Sequence, residues 1–449
     1  MTAGAVKRVN ARQVALDTIA LVESGAPINE ALSRVKGLSS ADRALVTQLV
    51  YGVERQRRFL DAWIGQLRQG PVEPKIRNIL RLALFQLHFL DRIPDYAIFH
   101  EAVEAAKRVN PRAAPMVNAV LRRAQRQPPT ALSTGEAYSH PDWLVDRWRS
   151  RYGDYVIDIL RRDNEIPPLT LRVDIARTSR ETILDELRDR GLEAEPSPYV
   201  PEAIRVKGAL WLEDFPPFQS GLVMVQDESS MLVAWALDPK PGQTVLDMAV
   251  GLGGKALHVL ERTQGRLRLT AVDLSSERLA RFQSVLRERG FDAEVRVEVG
   301  DASRLLVHET ERYDRVLLDA PCSGLGVLRR RVDARWKKKP EDLMPLQSMQ
   351  KRLLAAGLRV LKPGGVLVYS TCSVEPEETW AVIDEAPRWG GRRDSVIPFL
   401  PHPALNEWVS AGVLALPPGA LGMDGFFIAR LVKPEAGEMG DNNVHVSTD

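Results

Sequence analysis

The sequence predicts an all-α N-terminal domain followed by an α/β domain built on a doubly wound parallel sheet, with a small α+β module between them. Three observations carry this expectation. Apolar residues in the first 126 positions recur at three- and four-residue spacing, as in Leu45-Leu49-Val50-Val53, the period of an amphipathic helix. From Thr244 onward, strand-like and helix-like runs alternate, the pattern of crossover-connected parallel strands. The only two cysteines, Cys322 and Cys372, each follow a strand-like run, Arg315-Val316-Leu317-Leu318 and Val366-Leu367-Val368-Tyr369. In an open parallel sheet the carboxyl ends of strands are where ligands gather. The competing reading of the cysteines is inert core filling, because free cysteine is commonly buried.

A chain of 449 residues has room for two or three domains. With 44% hydrophobic and 27% charged residues it has an ordinary globular composition. No uninterrupted apolar segment reaches the ~18 residues of a membrane-spanning helix, and no apolar signal core opens the chain. Two cysteines make no disulfide framework, so a reducing cytoplasm is the expected compartment. The net charge of +2 is unevenly spread. Residues 1–130 hold 20 Lys and Arg against 11 Asp and Glu, a net +9, which leaves −7 for the remainder. A basic first third points to an anionic macromolecular partner, a solubilising surface being the alternative.

Taken in order, helices are expected over 11–126, broken at Gly25-Ala26-Pro27, Gly70-Pro71, Ile93-Pro94-Asp95 and Asn110-Pro111, with a helix start at Ser39-Ser40. Arg55, Arg57, Arg58, Arg77, Arg81, Arg122, Arg123 and Arg126 are assigned to exposed faces. Few aromatics alternate with them, so phosphate contact suits this stretch better than base stacking. Leu80-Arg81-Leu82-Ala83-Leu84-Phe85-Gln86-Leu87 and Val117-Asn118-Ala119-Val120-Leu121-Arg122 resemble the NusB-type helical RNA-binding domain. A helical domain that packs only on its own enzyme is the other reading. After Gln127-Pro128-Pro129 come a short helical pair, a strand at Leu169–Val173 and an amphipathic helix from Arg180 to Gly191. The tail after Pro434 is polar and is expected to be disordered.

Thr244-Val245-Leu246-Asp247 is a strand that leads through Ala249 and Val250 into Gly251-Leu252-Gly253-Gly254-Lys255 and a helix. Such a turn aims backbone N–H groups and a positive helix end at a ligand. The next strand closes on Asp273, 26 residues after Asp247, and the one after it on Asp301. A carboxylate at the first of these places accepts from ribose hydroxyls, and the second lies where an adenine amino group would be. The alternative is that these carboxylates cap helices. The arrangement resembles the S-adenosyl-L-methionine site of class I methyltransferases, which implies a Rossmann-like sheet and that cofactor; a nucleotide-dependent dehydrogenase is the alternative.

Asp319-Ala320-Pro321-Cys322-Ser323-Gly324 and Ser370-Thr371-Cys372-Ser373-Val374-Glu375-Pro376-Glu377-Glu378 place two thiols 50 residues apart. Between them lie Arg335-Trp336-Lys337 and Leu361-Lys362-Pro363-Gly364-Gly365. The set resembles the paired motifs of RNA cytosine-C5 methyltransferases, and with the helical domain the best match is the RsmB/Sun type, which modifies 16S ribosomal RNA. The resemblance runs over about residues 8–432. It implies that Cys372 is the nucleophile, that Cys322 promotes product release and that Asp319 stabilises ring charge. The residues alone leave the two thiols interchangeable, and the Pro-Cys motif of DNA cytosine methyltransferases would favour Cys322 as nucleophile. The chain departs from the family's Ala-Ala-Pro-Gly-Gly-Lys-Thr loop at Val250-Gly251-Leu252. That departure keeps open a second reading, an RNA-binding ribosome assembly factor with weak or lost turnover.

The organisation expected is a NusB-like domain over 1–130, linker helices and an α+β module over 131–220, a catalytic domain over 221–433 and a tail over 434–449. The cofactor set is Ala249, Val250, Gly251, Leu252, Gly253, Gly254, Lys255, Asp273, Asp301 and Asp319. The expected partner is small-subunit ribosomal RNA, with no metal, no membrane and a monomeric state.

Overall fold

A computed structural model describes residues 10–208, 210–291 and 295–435 of the chain. Most of the polar tail, from residue 436, lies outside the described residues. The chain divides into two compact units, Met1–Ile166 with Leu328–Lys338, and Pro167–Val327 with Lys339–Asp449.

The first unit is helical, with helices at Ala11–Glu23, Ile28–Ser33, Ser40–Arg55, Arg57–Leu67, Pro74–Phe89, Asp95–Val109, Ala114–Ala124, Thr134–Ala137, Asp142–Tyr152 and Val156–Arg162. Local chemistry sets their starts. Asn10 accepts from the N–H groups of Arg12 and Gln13, and Ser39 accepts from Asp42 N, each satisfying a donor that the first turn leaves orphaned. Their apolar stripes meet in one core holding Ile19, Leu49, Leu60, Leu80, Leu84 and Leu121.

Two of the arginines assigned to exposed faces are buried. Arg81 is 3% exposed, with its guanidinium bonded to both oxygens of Asp61 and to Glu23. Arg55 is 7% exposed and donates to Arg329 O. Helical periodicity placed these residues correctly on the helix and missed the acidic and carbonyl partners that draw them inward.

The segment Leu328–Lys338 belongs to this helical unit although it lies between the two cysteines in sequence. Val332 joins the helical core. Arg335, without exposed surface, donates to Ser139 O at 3.0 Å, Asn164 Oδ1 at 2.9 Å and Asp163 O at 3.1 Å. Trp336 Nε1 donates to Glu54 O at 2.8 Å.

The second unit holds two sheets. Strands β1 (Leu169–Val173), β2 (Glu193–Pro196), β3 (Ala203–Lys207) and β4 (Val223–Val225) form an antiparallel sheet in the order β2-β3-β1-β4. The helix Arg180–Asp189 buries Ile183, Leu184 and Leu187 in the same cluster as Leu171, Val173, Ile204 and Val206. Because β4 pairs with β1, this sheet continues past residue 220.

The larger sheet comprises β5 (Thr244–Asp247), β6 (Arg268–Asp273), β7 (Val295–Val299), β8 (Tyr313–Asp319), β9 (Leu361–Thr371), β10 (Arg392–Asp394), β11 (Val409–Ser410), β12 (Val413–Leu416) and β13 (Phe426–Val432). Its order is β11-β12-β13-β9-β8-β5-β6-β7, with β10 also on β13. Pairing is parallel from β9 through β8, β5 and β6 to β7 and antiparallel where β13 joins β9. The order reverses at β5, which is the switch point of a doubly wound sheet. Val316, Leu318, Leu367 and Tyr369 face one buried cluster, and Leu317 and Val368 face another. The central strands are thus covered on both faces, as a parallel sheet requires.

Candidate active site

The loops that follow β5, β6, β7, β8 and β9 build the site. Register brings the two cysteines together: Asp319 of β8 pairs with Ser370 of β9, so Cys322 and Cys372 lie three and two residues past paired positions. Their sulfurs are 3.2 Å apart, neither is in a disulfide, and both residues are partly buried. The hydrogen bond with Cys372, then burial, pushes the Cys322 thiol well above its ordinary range.

Asp319 is held on both oxygens. Lys255 Nζ donates to Oδ2 at 2.7 Å, and Ser370 Oγ donates to Oδ1 at 2.8 Å. Lys255, in the first turn of the helix Gly254–Thr263, also lies 5.3 Å from the centroid of Phe426. The Lys255 side chain is 15% exposed and ion-paired, unlike a solvated helix lysine.

Gly251 and Gly253 have φ of +59° and +85°, the left-handed region that favours glycine. A Cβ on Gly253 would also run into the Phe282 ring. Leu252 between them is 58% exposed. Val250 N donates to Val272 O at 3.0 Å, and Ala249 N to Asp247 Oδ1 at 3.2 Å, which pins the loop to its own strands. Asp273 accepts from Gly251 N at 2.8 Å and from Ser275 N at 2.9 Å. Each bonded oxygen keeps a second lone-pair direction for a ligand. Asp301 accepts from Ser303 N and Oγ and caps a short helix. Burial, with Asp319 and Asp273 adding repulsion, pushes the carboxyl of Asp247 up to about 7.

Glu378 closes the second cysteine motif, and its sequence position alone marks no task for it. The side chain has no exposed surface. It accepts from Ser323 N at 2.8 Å and Gln350 Nε2 at 3.1 Å on one oxygen, and from the hydroxyls of Ser323 and Ser373 on the other. A glutamate in an acidic, proline-containing stretch reads as a solvated side chain, and nothing local marks it otherwise.

A doubly wound sheet with a glycine turn after its first strand and carboxylates at the ends of the next strands defines a class I methyltransferase core. Family models match the chain in three places: the 16S rRNA methyltransferase RsmB/F over residues 234–432, the NusB family over 9–126, and an RsmF/B-like ferredoxin-like domain over 140–212. The probable ribosomal RNA small subunit methyltransferase B of Bacillus subtilis (strain 168) is 36% identical, covering 95% of this chain and all of that protein. The ribosomal RNA small subunit methyltransferase B of Xylella fastidiosa (strain 9a5c) is 38% identical over 87% of this chain and 92% of that one. The solved structure of PH0851 superposes with a TM-score of 0.80 at 25% identity, covering 94% and 98% of the two chains. The chain belongs to the RsmB/F family of small-subunit ribosomal RNA methyltransferases. S-adenosyl-L-methionine is its cofactor. The left-handed glycines, the helix start at Gly254 and the free lone pairs of Asp273 fit that group.

Among the described residues no helix is long and apolar enough to cross a membrane, and no group of three or more His, Cys, Asp or Glu is placed to hold a metal ion.

Proposed function

We propose that the chain methylates carbon 5 of a cytosine in small-subunit ribosomal RNA through a covalent adduct on Cys372. The observation that carries this reading is the 3.2 Å approach of two thiols beside a carboxylate held by Lys255 and Ser370.

Carbon 5 of cytosine is a poor nucleophile while the ring is aromatic. A Cys372 thiolate adds at carbon 6, and the ring electrons move so that carbon 5 can attack a methyl group. The cofactor supplies that methyl as an electrophilic sulfonium substituent. The addition drives electron density onto ring N3, which takes up a proton from solvent, and Asp319, fixed on both oxygens, accepts a hydrogen bond from that N3–H and so stabilises the adduct. A base, water in the simplest case, then takes the carbon 5 proton, and the freed electron pair restores the carbon 5–carbon 6 double bond as the carbon 6–sulfur bond breaks and the thiolate departs. Cys322 is held as a thiol beside Cys372, so it donates to the departing sulfur. Gly251, Leu252, Gly253, Gly254 and Lys255, with Ala249 and Val250 behind them, form the cofactor loop. Asp273 takes the ribose and Asp301 the adenine side. Reaching the base requires extruding it from the RNA, at about a few kcal/mol. The basic helical unit supplies phosphate contacts. We assign the enzyme to the cytoplasm as a monomer.

The test uses small-subunit ribosomal RNA and labelled cofactor. Cys372→Ala is expected to lose carbon 5 methylation, while Cys322→Ala accumulates a protein–RNA adduct. Normal methylation by Cys372→Ala overturns the mechanism.

A further inference from the structure

We propose that Glu378 is a positioning residue that fixes the separation of the two thiols. The inference rests on the reading that both thiols act in turnover. Glu378 ends the short turn Pro376–Glu378, six residues past Cys372. One carboxylate receives four donors: the backbone N–H and hydroxyl of Ser323, the hydroxyl of Ser373, and Gln350 Nε2. Ser323 follows Cys322 and Ser373 follows Cys372. A single anion therefore holds the residue next to each sulfur.

The clamp is itself anchored. Tyr369 OH donates to Glu378 O at 2.6 Å, and Gln350 Nε2 also donates to Pro321 O at 2.9 Å. A further backbone bond, Gly326 N to Cys372 O at 2.9 Å, ties the two loops beyond the serines.

Packing alone does not call for a carboxylate here. Burying a charge is costly unless hydrogen bonds satisfy it, and two loops could be packed by neutral groups. Charge-assisted bonds are shorter and roughly twice as strong as neutral ones. What the charge adds is stiffness in the spacing of Cys322 and Cys372. Its repulsion is also among the causes that hold Cys322 as a thiol, after the bond to Cys372 and burial.

The sulfur spacing can be measured apart from catalysis. A disulfide needs the sulfurs at about 2.05 Å, so the rate at which diamide closes Cys322 to Cys372 reports how often they meet. In the full chain, Glu378→Gln keeps the size but turns an N–H₂ group toward existing donors. Loss of the repulsion favours the Cys322 thiolate and would by itself quicken closure, so the expected slowing, on the order of tenfold while iodoacetamide alkylation of the two thiols persists, reports the spacing. The kcat should fall by on the order of 10- to 100-fold, as for a misplaced reacting group. The KM for small-subunit RNA and for S-adenosylmethionine should stay within about twofold.

Unchanged closure and unchanged kcat overturn the proposal. Should Glu378→Gln fail to fold, Ser323→Ala and Ser373→Ala carry the same test. Each removes one donor and should slow closure by on the order of threefold relative to the unaltered chain, and wild-type closure in both overturns it. Methylation at an atom other than carbon 5 would sink the proposed function and leave the closure measurement standing.

Discussion

Glu378 in the catalytic unit and Asp163 in the helical unit are both buried carboxylates, 0% and 1% exposed, yet their surroundings differ. Both oxygens of Glu378 are occupied by donors. Asp163 Oδ2 has only His140 Nε2, at 3.4 Å, and its Oδ1 has no hydrogen-bond partner among the described residues. The neighbouring Arg335 spends its donors on carbonyls and an amide oxygen instead. Burial consequently pushes Asp163 up to about 7, against the pull of Arg335, Arg329 and Arg55. One carboxylate is used as a fixed geometric clamp. The other belongs to a cluster of opposite charges that balance without direct pairing, and it responds to pH.

The sharpest way to break this contrast is Arg335→Ala. It removes the cation that balances Asp163 and leaves the carbonyls of Ser139 and Asp163 without that donor. Leaving a buried charge uncompensated and buried acceptors without their donor costs about 3–5 kcal/mol, and urea unfolding of the purified chain would show it; a shift below about 1 kcal/mol would mean the cluster contributes little. Gly326→Ala attacks the other side. A Cβ there would stand 2.8 Å from Cys372 O and collide with Gly425 O. Overpacking of that kind costs about 1–3 kcal/mol, and kcat should fall with it; full activity would mean the loops are looser than the clamp implies.

The third change concerns pH. Asp163 holds its proton to about 7 in the folded chain, against an ordinary value of 3.8 once unfolded. Between those values the folded state binds more protons, so this residue's contribution is fully present below about 4 and is lost as pH rises through 7. Asp163→Asn should flatten that decline, read from thermal midpoints at pH 5 and pH 8. Equal slopes in the two proteins would remove Asp163 from the account. His140, held well below its usual range chiefly by burial, works in the opposite direction and loses its contribution as pH falls below about 6.5. The smallest effect expected is for Leu252→Pro. It restores the family's turn residue on an exposed loop position, and cofactor affinity measured by calorimetry should move by no more than about fivefold, the worth of ~1 kcal/mol.

Much of the catalytic unit was legible because parallel strands announce themselves in apolar runs and end in residues that cannot be buried unpaired. Asp247, Asp273, Asp319 and Cys372 each stand at or just past such an end. The 3.2 Å approach of the thiols was not legible, since it depends on the register of β8 against β9. Arg55 and Arg81 were misplaced because a helix pattern reports which face a residue occupies and not whether a carbonyl or a carboxylate waits there. The attachment of Leu328–Lys338 to the helical unit was hidden for a related reason. Arg335 finds Ser139, Asp163 and Asn164 more than 170 positions earlier, and no local pattern encodes so distant a partner.

That attachment has a consequence for synthesis. Domains commonly fold as they emerge, N-terminal part first, at roughly 5–20 residues per second. The helical unit cannot do so completely, because Val332, Arg335 and Trp336 are made only after the whole first half of the catalytic unit. Its binding place for that segment stays vacant on the nascent chain for on the order of ten seconds or more. During that time Asp163 lacks Arg329 and Arg335 and keeps only Arg55, and the helices are exposed to chaperones and proteases in a form that the finished enzyme never shows.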